Sequence, residues 1–166
     1  MSVQTIVEIL EKLERVHKSL LELALKKTEV VKKGDMVELD KILKNEQSHV
    51  AAIETLEKQR QVLVTDYLKS QGFDFSGIPT VSNVIEAANS EIEREQLEQI
   101  RNRILQVVNK LKNQNDLNQK LVYQSLQFVN MTLDMVRPRQ EQINYSGQQV
   151  KGQNVQPKKS IFDSQA

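Results

Sequence analysis

Ile6, Ile9, Leu13, Val16, Leu20, Leu23, Lys27 and Val30 follow one another at alternating steps of three and four residues. That spacing is a heptad seam with one polar member, and it predicts a helix over Val3–Lys33. Leu10, Ala24 and Val31 widen the stripe on one side, so this helix is expected to face two neighbours. Lys26, Lys27, Lys32 and Lys33 cluster near its end, where the helix dipole favours cations. Gly34 and Asp35 then break the pattern. Glycine takes the left-handed C′ conformation readily, and Asp35 can cap a second helix, with Glu38 as the other half of a capping box. So short a connection predicts an antiparallel hairpin.

The second helix is expected over residues 36–68, with its seam at Leu39, Ile42, Glu46, His49, Ile53, Leu56, Arg60, Leu63 and Tyr67. The polar members Glu46, His49 and Arg60 predict a more exposed helix than the first. Lys27 and Glu46 fall at the same level of the hairpin and are expected to form an ion pair that fixes register. Between residues 70 and 80, Gly72, Gly77 and Pro79 punctuate a loop, whose Phe73 and Phe75 are expected to plug one end of the bundle. A short helix follows over residues 81–88. Ser90, with Glu93, caps a long helix that reaches Val136, roughly 45 residues or about 65–70 Å. Arg137-Pro138 stops it, because proline disfavours helix before it and has no amide to continue the ladder. The fold class is therefore all-α: a long-helix hairpin packed with a long C-terminal helix in a three-helix bundle, over residues 1–137. Residues 138–166 are polar and without period, and are expected to be a disordered tail in isolation.

The long helix changes character along its length. Leu97, Ile100, Ile104, Val107, Leu111, Val122, Val129 and Val136 share one arc at 100° per residue, and this arc is expected to pack on the hairpin. Up to Lys112 the neighbouring arc is wet, with Gln99, Arg103, Gln106 and Lys110. From Asn115 onward the same arc holds Leu117, Leu121, Phe128, Met131 and Met135. A second apolar face rich in Met suits an adaptable binding surface for a partner helix. The plainer account is a helix that faces two bundle partners and needs a broad arc. Asn115 and Asn118 sit on the core arc. They either fix register from within or stay exposed and bond a partner's backbone.

Composition narrows the possibilities. Hydrophobic residues make up 39% of the 166, aromatics only 4%, and there is no Trp, which fits helices rather than a sandwich of sheets. A formal net charge of +1 gives no bulk attraction to nucleic acid or to an anionic membrane. There is no Cys, which excludes disulfides and thiolate chemistry. The first fifteen residues carry Glu8 and Glu11 within the apolar period, so they read as helix and not as a secretory leader. No apolar run has the length of a membrane span.

Catalytic candidates are few. Glu14-x-x-His17 and Glu46-x-x-His49 have the spacing of di-iron helical bundles, which would make the chain an oxidoreductase. Those sites draw carboxylates from further helices, and here the two histidines approach one another while the glutamates diverge. A solvated flank for Glu14 and a polar seam position for Glu46 account for the same residues. No nucleophile elbow, P-loop or dinucleotide fingerprint occurs, and no cofactor is expected.

KKGDMVELDKILKNEQSHVAAIETLEKQR resembles the hairpin of the FlgN family, flagellar export chaperones for hook-associated proteins. NQNDLNQKLVYQSLQFV, with its Asn-x-x-Asn-x-x-Leu, resembles the same family, as do Tyr145-Ser-Gly and the terminal Ser160-Ile-Phe-Asp. His49 departs from the plain apolar residue expected on that seam. The resemblance implies a cytoplasmic bacterial protein that is not an enzyme. It would bind the C-terminal helical segments of hook–filament junction proteins, prevent premature assembly, and deliver them to the type III export gate. Carried over by position, Asn115, Asn118, Leu121, Ser125 and Leu126 belong to the client-binding half. The helical wheel adds Leu117, Phe128, Met131 and Met135. Tyr145 is the candidate for docking to export-gate components. The alternative from another class is a structural coiled-coil homo-oligomer, self-associating through the second apolar face.

Overall fold

The computed structural model describes residues 2–137, which form four helices: α1 Val3–Lys33, α2 Met36–Ser70, α3 Val81–Ala87 and α4 Glu91–Val136. The expected all-α architecture is present, with α2 two residues longer than its seam predicts and α3 one residue shorter.

The hairpin turn has a simple cause. Gly34 adopts φ +70°, and its N–H donates to the Val31 carbonyl at 3.2 Å while Asp35 N–H donates to Val30 at 3.3 Å. These are the two bonds of a Schellman cap, and they satisfy carbonyls that the end of α1 leaves open. Asp35 Oδ1 then accepts from Glu38 N–H at 3.0 Å. The expected capping box is only half made, because the Asp35 N–H is already taken by Val30. Glu38 turns its carboxylate instead to Lys26, 2.7 Å away on α1, and to Lys41. Those cations hold the Glu38 carboxyl below the ordinary carboxylate range.

α1 lies at the centre. It packs on α2 along one side and on α4 along the other, whereas α2 and α4 make no close backbone approach to each other. Of the residues that widen its stripe, Leu10 and Ala24 are buried and Val31 is half-buried. At the end away from the turn, α3 spans from α2 to α4. The main core sits there: Ile6, Leu10 and Leu13 of α1 meet Val64, Tyr67 and Leu68 of α2, Val84 and Ile85 of α3, and Leu97 and Ile100 of α4. Phe75 packs against this core as expected of a plug. Phe73 does not. It is half exposed. Toward the turn the core thins to Leu20, Ala24 and Leu111, with Leu21, Leu23 and Ile53 around them. α2 there is mostly exposed apart from the buried Ile42, as its polar seam predicts.

Two polar contacts set α4 against α1. Glu14, expected on a solvated flank, is only 6% exposed. It is clasped by Lys18 at 2.8 Å on its own helix and by Arg103 of α4 at 3.2 Å. Burial pushes its carboxyl up, but the Lys18 hydrogen bond and the Arg103 and Lys18 charges outweigh that, and the net shift is downward. Farther up, Asn118 is 2% exposed. Its amide donates to the Ala24 carbonyl at 2.8 Å, and its oxygen accepts from the Thr28 hydroxyl, which also receives a hydrogen bond from Gln114. The Lys27–Glu46 pair forms as expected, at 3.0 Å, and holds α1 to α2 at this level.

Removing the buried amide with Asn118→Ala should lower unfolding free energy by about 1–3 kcal/mol, the penalty of an unmatched buried polar contact, measured by urea unfolding. Glu14 yields a pH prediction. Its folded pKa lies below the ordinary value of 4.5. Its contribution is therefore complete above the unfolded value and lost as pH falls through the folded one. Urea midpoints from neutrality downward should fall less steeply for Glu14→Gln than for the parent chain in the region below pH 4.5.

Candidate functional site

α1 and α4 run parallel in a steady register. Thr28 meets Asn118 90 residues farther on, and Glu14 meets Arg103 at nearly the same offset. Carried upward, that register sets the Gly34 turn level with about residue 124, so the last dozen or so residues of α4 project about 18 Å past the hairpin. Asn118 is the last buried residue on α4. Above it the core arc itself emerges: Val122 is at the border of exposure, Val129 half exposed and Val136 largely exposed. These valines were expected to pack on the hairpin. Val129 and Val136 do not, because the hairpin turns back below them, while Val122, level with the turn, is only partly covered. The second stripe is open as well, with Phe128 71% and Met135 81% exposed. Both stripes together leave an apolar arc that runs from Leu126 round to Met131.

Two grooves flank the departing helix. On one side, Val30, Val31, Met36 and Leu39 of the hairpin turn face Leu121, Ser125, Phe128 and Val129 of α4. On the other side, a groove lies between α2 and α4 with α1 as its floor. Val50 and Glu46 line the α2 wall, Asn115, Gln119 and Tyr123 line the α4 wall, and Leu20 and Lys27 form the floor. Val122 and Leu126 border both grooves. At the tip, Met131 and Met135 surround an exposed Asp134–Arg137 pair.

The sequence-predicted residues divide among these places. Leu121, Ser125, Leu126 and Phe128 come together in the turn-side groove. Asn115 lies on the wall of the α2-side groove. Met131 and Met135 occupy the tip, and Leu117 is half exposed on the flank below. Asn118 borders the α2-side groove from its buried position on α4. Its amide is turned inward and engaged by α1, so of the two alternatives read for it, register from within is the one realised. The Ser125 hydroxyl donates to the Leu121 carbonyl at 2.8 Å and Thr132 does the same to Phe128 at 2.9 Å, so this half of the helix turns its hydroxyls onto its own backbone. Tyr145 lies outside the described residues.

Several lining residues had no signal on the long helix alone. Met36 and Val50 sit off the α2 seam, where an isolated apolar residue reads as a surface accident. Tyr123 sits on the polar side of the α4 wheel. Only the neighbouring helices give these positions meaning. The Glu-x-x-His pairs are engaged elsewhere. His17 Nδ1 lies 2.8 Å from the Leu13 carbonyl, and His49 bridges the Asn45 carbonyl and the Ser19 hydroxyl. Glu14 is held by Lys18 and Arg103, and Glu46 by Lys27. Among the described residues no three His, Cys, Asp or Glu side chains cluster as a metal site would need, and no helix is long and apolar enough to cross a membrane.

An apolar arc bordered by two grooves can do one thing well: bury the apolar face of another helix, at about 25 cal/mol for each Å² removed from water. Comparison with known proteins bears on which family makes this arrangement. No solved structure matches the chain. The "Uncharacterized protein YvyG" of Bacillus subtilis (strain 168) is 35% identical over 167 residues, covering all of this chain and all of that protein. The family model described as FlgN protein matches residues 1–152, a span that holds all four helices and both grooves. The chain belongs to the FlgN family, whose members are flagellar export chaperones.

Proposed function

We propose that this protein is a cytoplasmic export chaperone that binds the C-terminal helical segments of hook–filament junction proteins, keeps them from assembling early, and presents them to the type III flagellar export gate. The observation that carries the proposal is the bare end of α4: beyond the lock at Asn118 and the half-buried Leu121, the helix continues with Leu126, Phe128, Met131 and Met135 left exposed. Client termini that assemble through amphipathic helices would seek one another in solution. A chaperone has to offer a surface of the same period, and the overhang does so with i, i+3, i+4, i+7 spacing. Met suits the task because its unbranched chain repacks around more than one client. In this reading residues 1–137 are the client-holding domain. Residues 138–166 are the tail that carries Tyr145 to the export gate. Leu121, Phe128, Met131 and Met135 touch the client, Leu117, Leu126, Asn115 and Ser125 border it, and Asn118 positions the helix from the edge of the groove.

The homo-oligomer alternative uses the same surface, so the test has to separate the two. Phe128→Asp and Leu121→Asp should each weaken binding of a purified hook-associated C-terminal segment by about 30-fold or more, the effect of losing a central apolar anchor of about 2 kcal/mol. Circular dichroism and the monomer mass in sedimentation should be unchanged. A parent chain that sediments as a stable dimer with the segment present, and falls to monomer in the same variants, would assign the face to self-pairing.

A further inference from the structure

We infer that the α2–α4 groove is a second wall of the client site, and that a client helix lies in it as α3 lies between the same two helices at the opposite end of the bundle. The inference rests on the client-binding reading above and adds α2 to it.

α3 already packs along ridges that continue toward the turn. On α4, Arg94 donates to the Ala88 carbonyl at 3.2 Å, and Arg101 donates to the Ser82 hydroxyl of α3 at 3.2 Å. Arg94, Arg101, Val108, Asn115 and Val122 succeed one another at heptad steps, which stay on one face of a helix with a drift of about 20° per step. The first two meet α3 and its C-cap, and the last two line the α2–α4 groove. α2 repeats the relation. Val64 is fully buried in the core that holds Val84 and Ile85, and two heptads earlier on the same face stands Val50, 47% exposed, on the groove wall. The seat of α3 therefore continues along the bundle after α3 itself has ended.

What α3 supplies shows what the rest of this seat accepts. Val81, Val84, Ile85 and Ala88 form its inward stripe at i, i+3, i+4 and i+7, and they are aliphatic residues of small and middle size. The groove floor adds one requirement. The Lys27–Glu46 pair, with side chains 19% and 17% exposed, opens into it. A helix laid over this pair strips its remaining water, and an apolar residue there would leave charged groups short of partners. The occupant is thus an amphipathic client helix with an aliphatic stripe interrupted by one Ser, Thr, Asn or Gln above the ion pair.

The test uses the full chain, the purified C-terminal segments of the hook-associated proteins from the same genome, calorimetry, and a photo-crosslinking residue placed at position 50 or, as control, 62. Val62 is exposed on another face of α2. Val50→Asp is expected to weaken segment binding at least tenfold and Val62→Asp less than twofold, with thermal midpoints unchanged. The crosslinker at 50, and not at 62, is expected to capture the segment. If Val50→Asp binds normally and position 50 captures nothing while Phe128→Asp abolishes binding, the client lies along α4 alone. This inference then fails and the client reading stands. Loss of affinity in none of the three variants removes both. Capture of a second copy of the chain, or of the chain's own tail, at position 50 overturns the inference in favour of that occupant.

Discussion

A carboxamide buried between two helices is tolerated only where both of its ends find partners, and Asn118 finds them in the Ala24 carbonyl and the Thr28 hydroxyl. Apolar residues at that position would let α4 slide along α1 by a turn at little penalty, since Leu packs almost as well one turn up or down. An amide would lose its partners by the same slide. The Glu14–Arg103 contact repeats the constraint lower in the bundle, where a displaced α4 would leave a buried carboxylate with Lys18 alone. The length of α4 left beyond the hairpin follows from this register, and so does the identity of the residues presented there.

The distribution of core and charge agrees with that division. The end near α3 is closed by four helices and holds nearly all the large buried side chains. The turn end is held by a thin apolar layer, one buried amide and the Lys27–Glu46 pair. A bundle tapered in this way anchors strongly at one end and leaves apolar edges free at the other. The free edges belong to all three long helices, and the overhang is only their most exposed part.

Much of this was legible in the sequence because helices of this kind are written in period and punctuation. The spacing of Ile6 to Val30, the Gly34-Asp35 break and the Arg137-Pro138 stop each follow from local backbone chemistry, and the helix ends fall within two residues of their expected places. The apolar switch on α4 was equally plain. What period does not encode is where a neighbour ends. Val129 and Val136 keep the core spacing although the hairpin does not reach them, because the same residue type serves a bundle core and a docking face. Glu14 was misplaced for the opposite reason: its partner Arg103 lies on another helix, and a charge on a seam edge looks solvated until the cation across from it is known. Asn118 was ambiguous in the sequence, and its two hydrogen bonds on α1 resolved it.

The overhang also bears on how a helix is made. An isolated segment as short as residues 125–136 would scarcely be helical in water, since nucleation is unfavourable and the first turn fixes several residues for one hydrogen bond. Here the nucleus lies far below, in the packed part of α4, and the projecting turns need only propagation, which is close to neutral per residue. Ser125 and Thr132 fold their hydroxyls onto the backbone of these turns. The protein thus displays an apolar helical surface whose order is inherited from a core that the surface itself never touches.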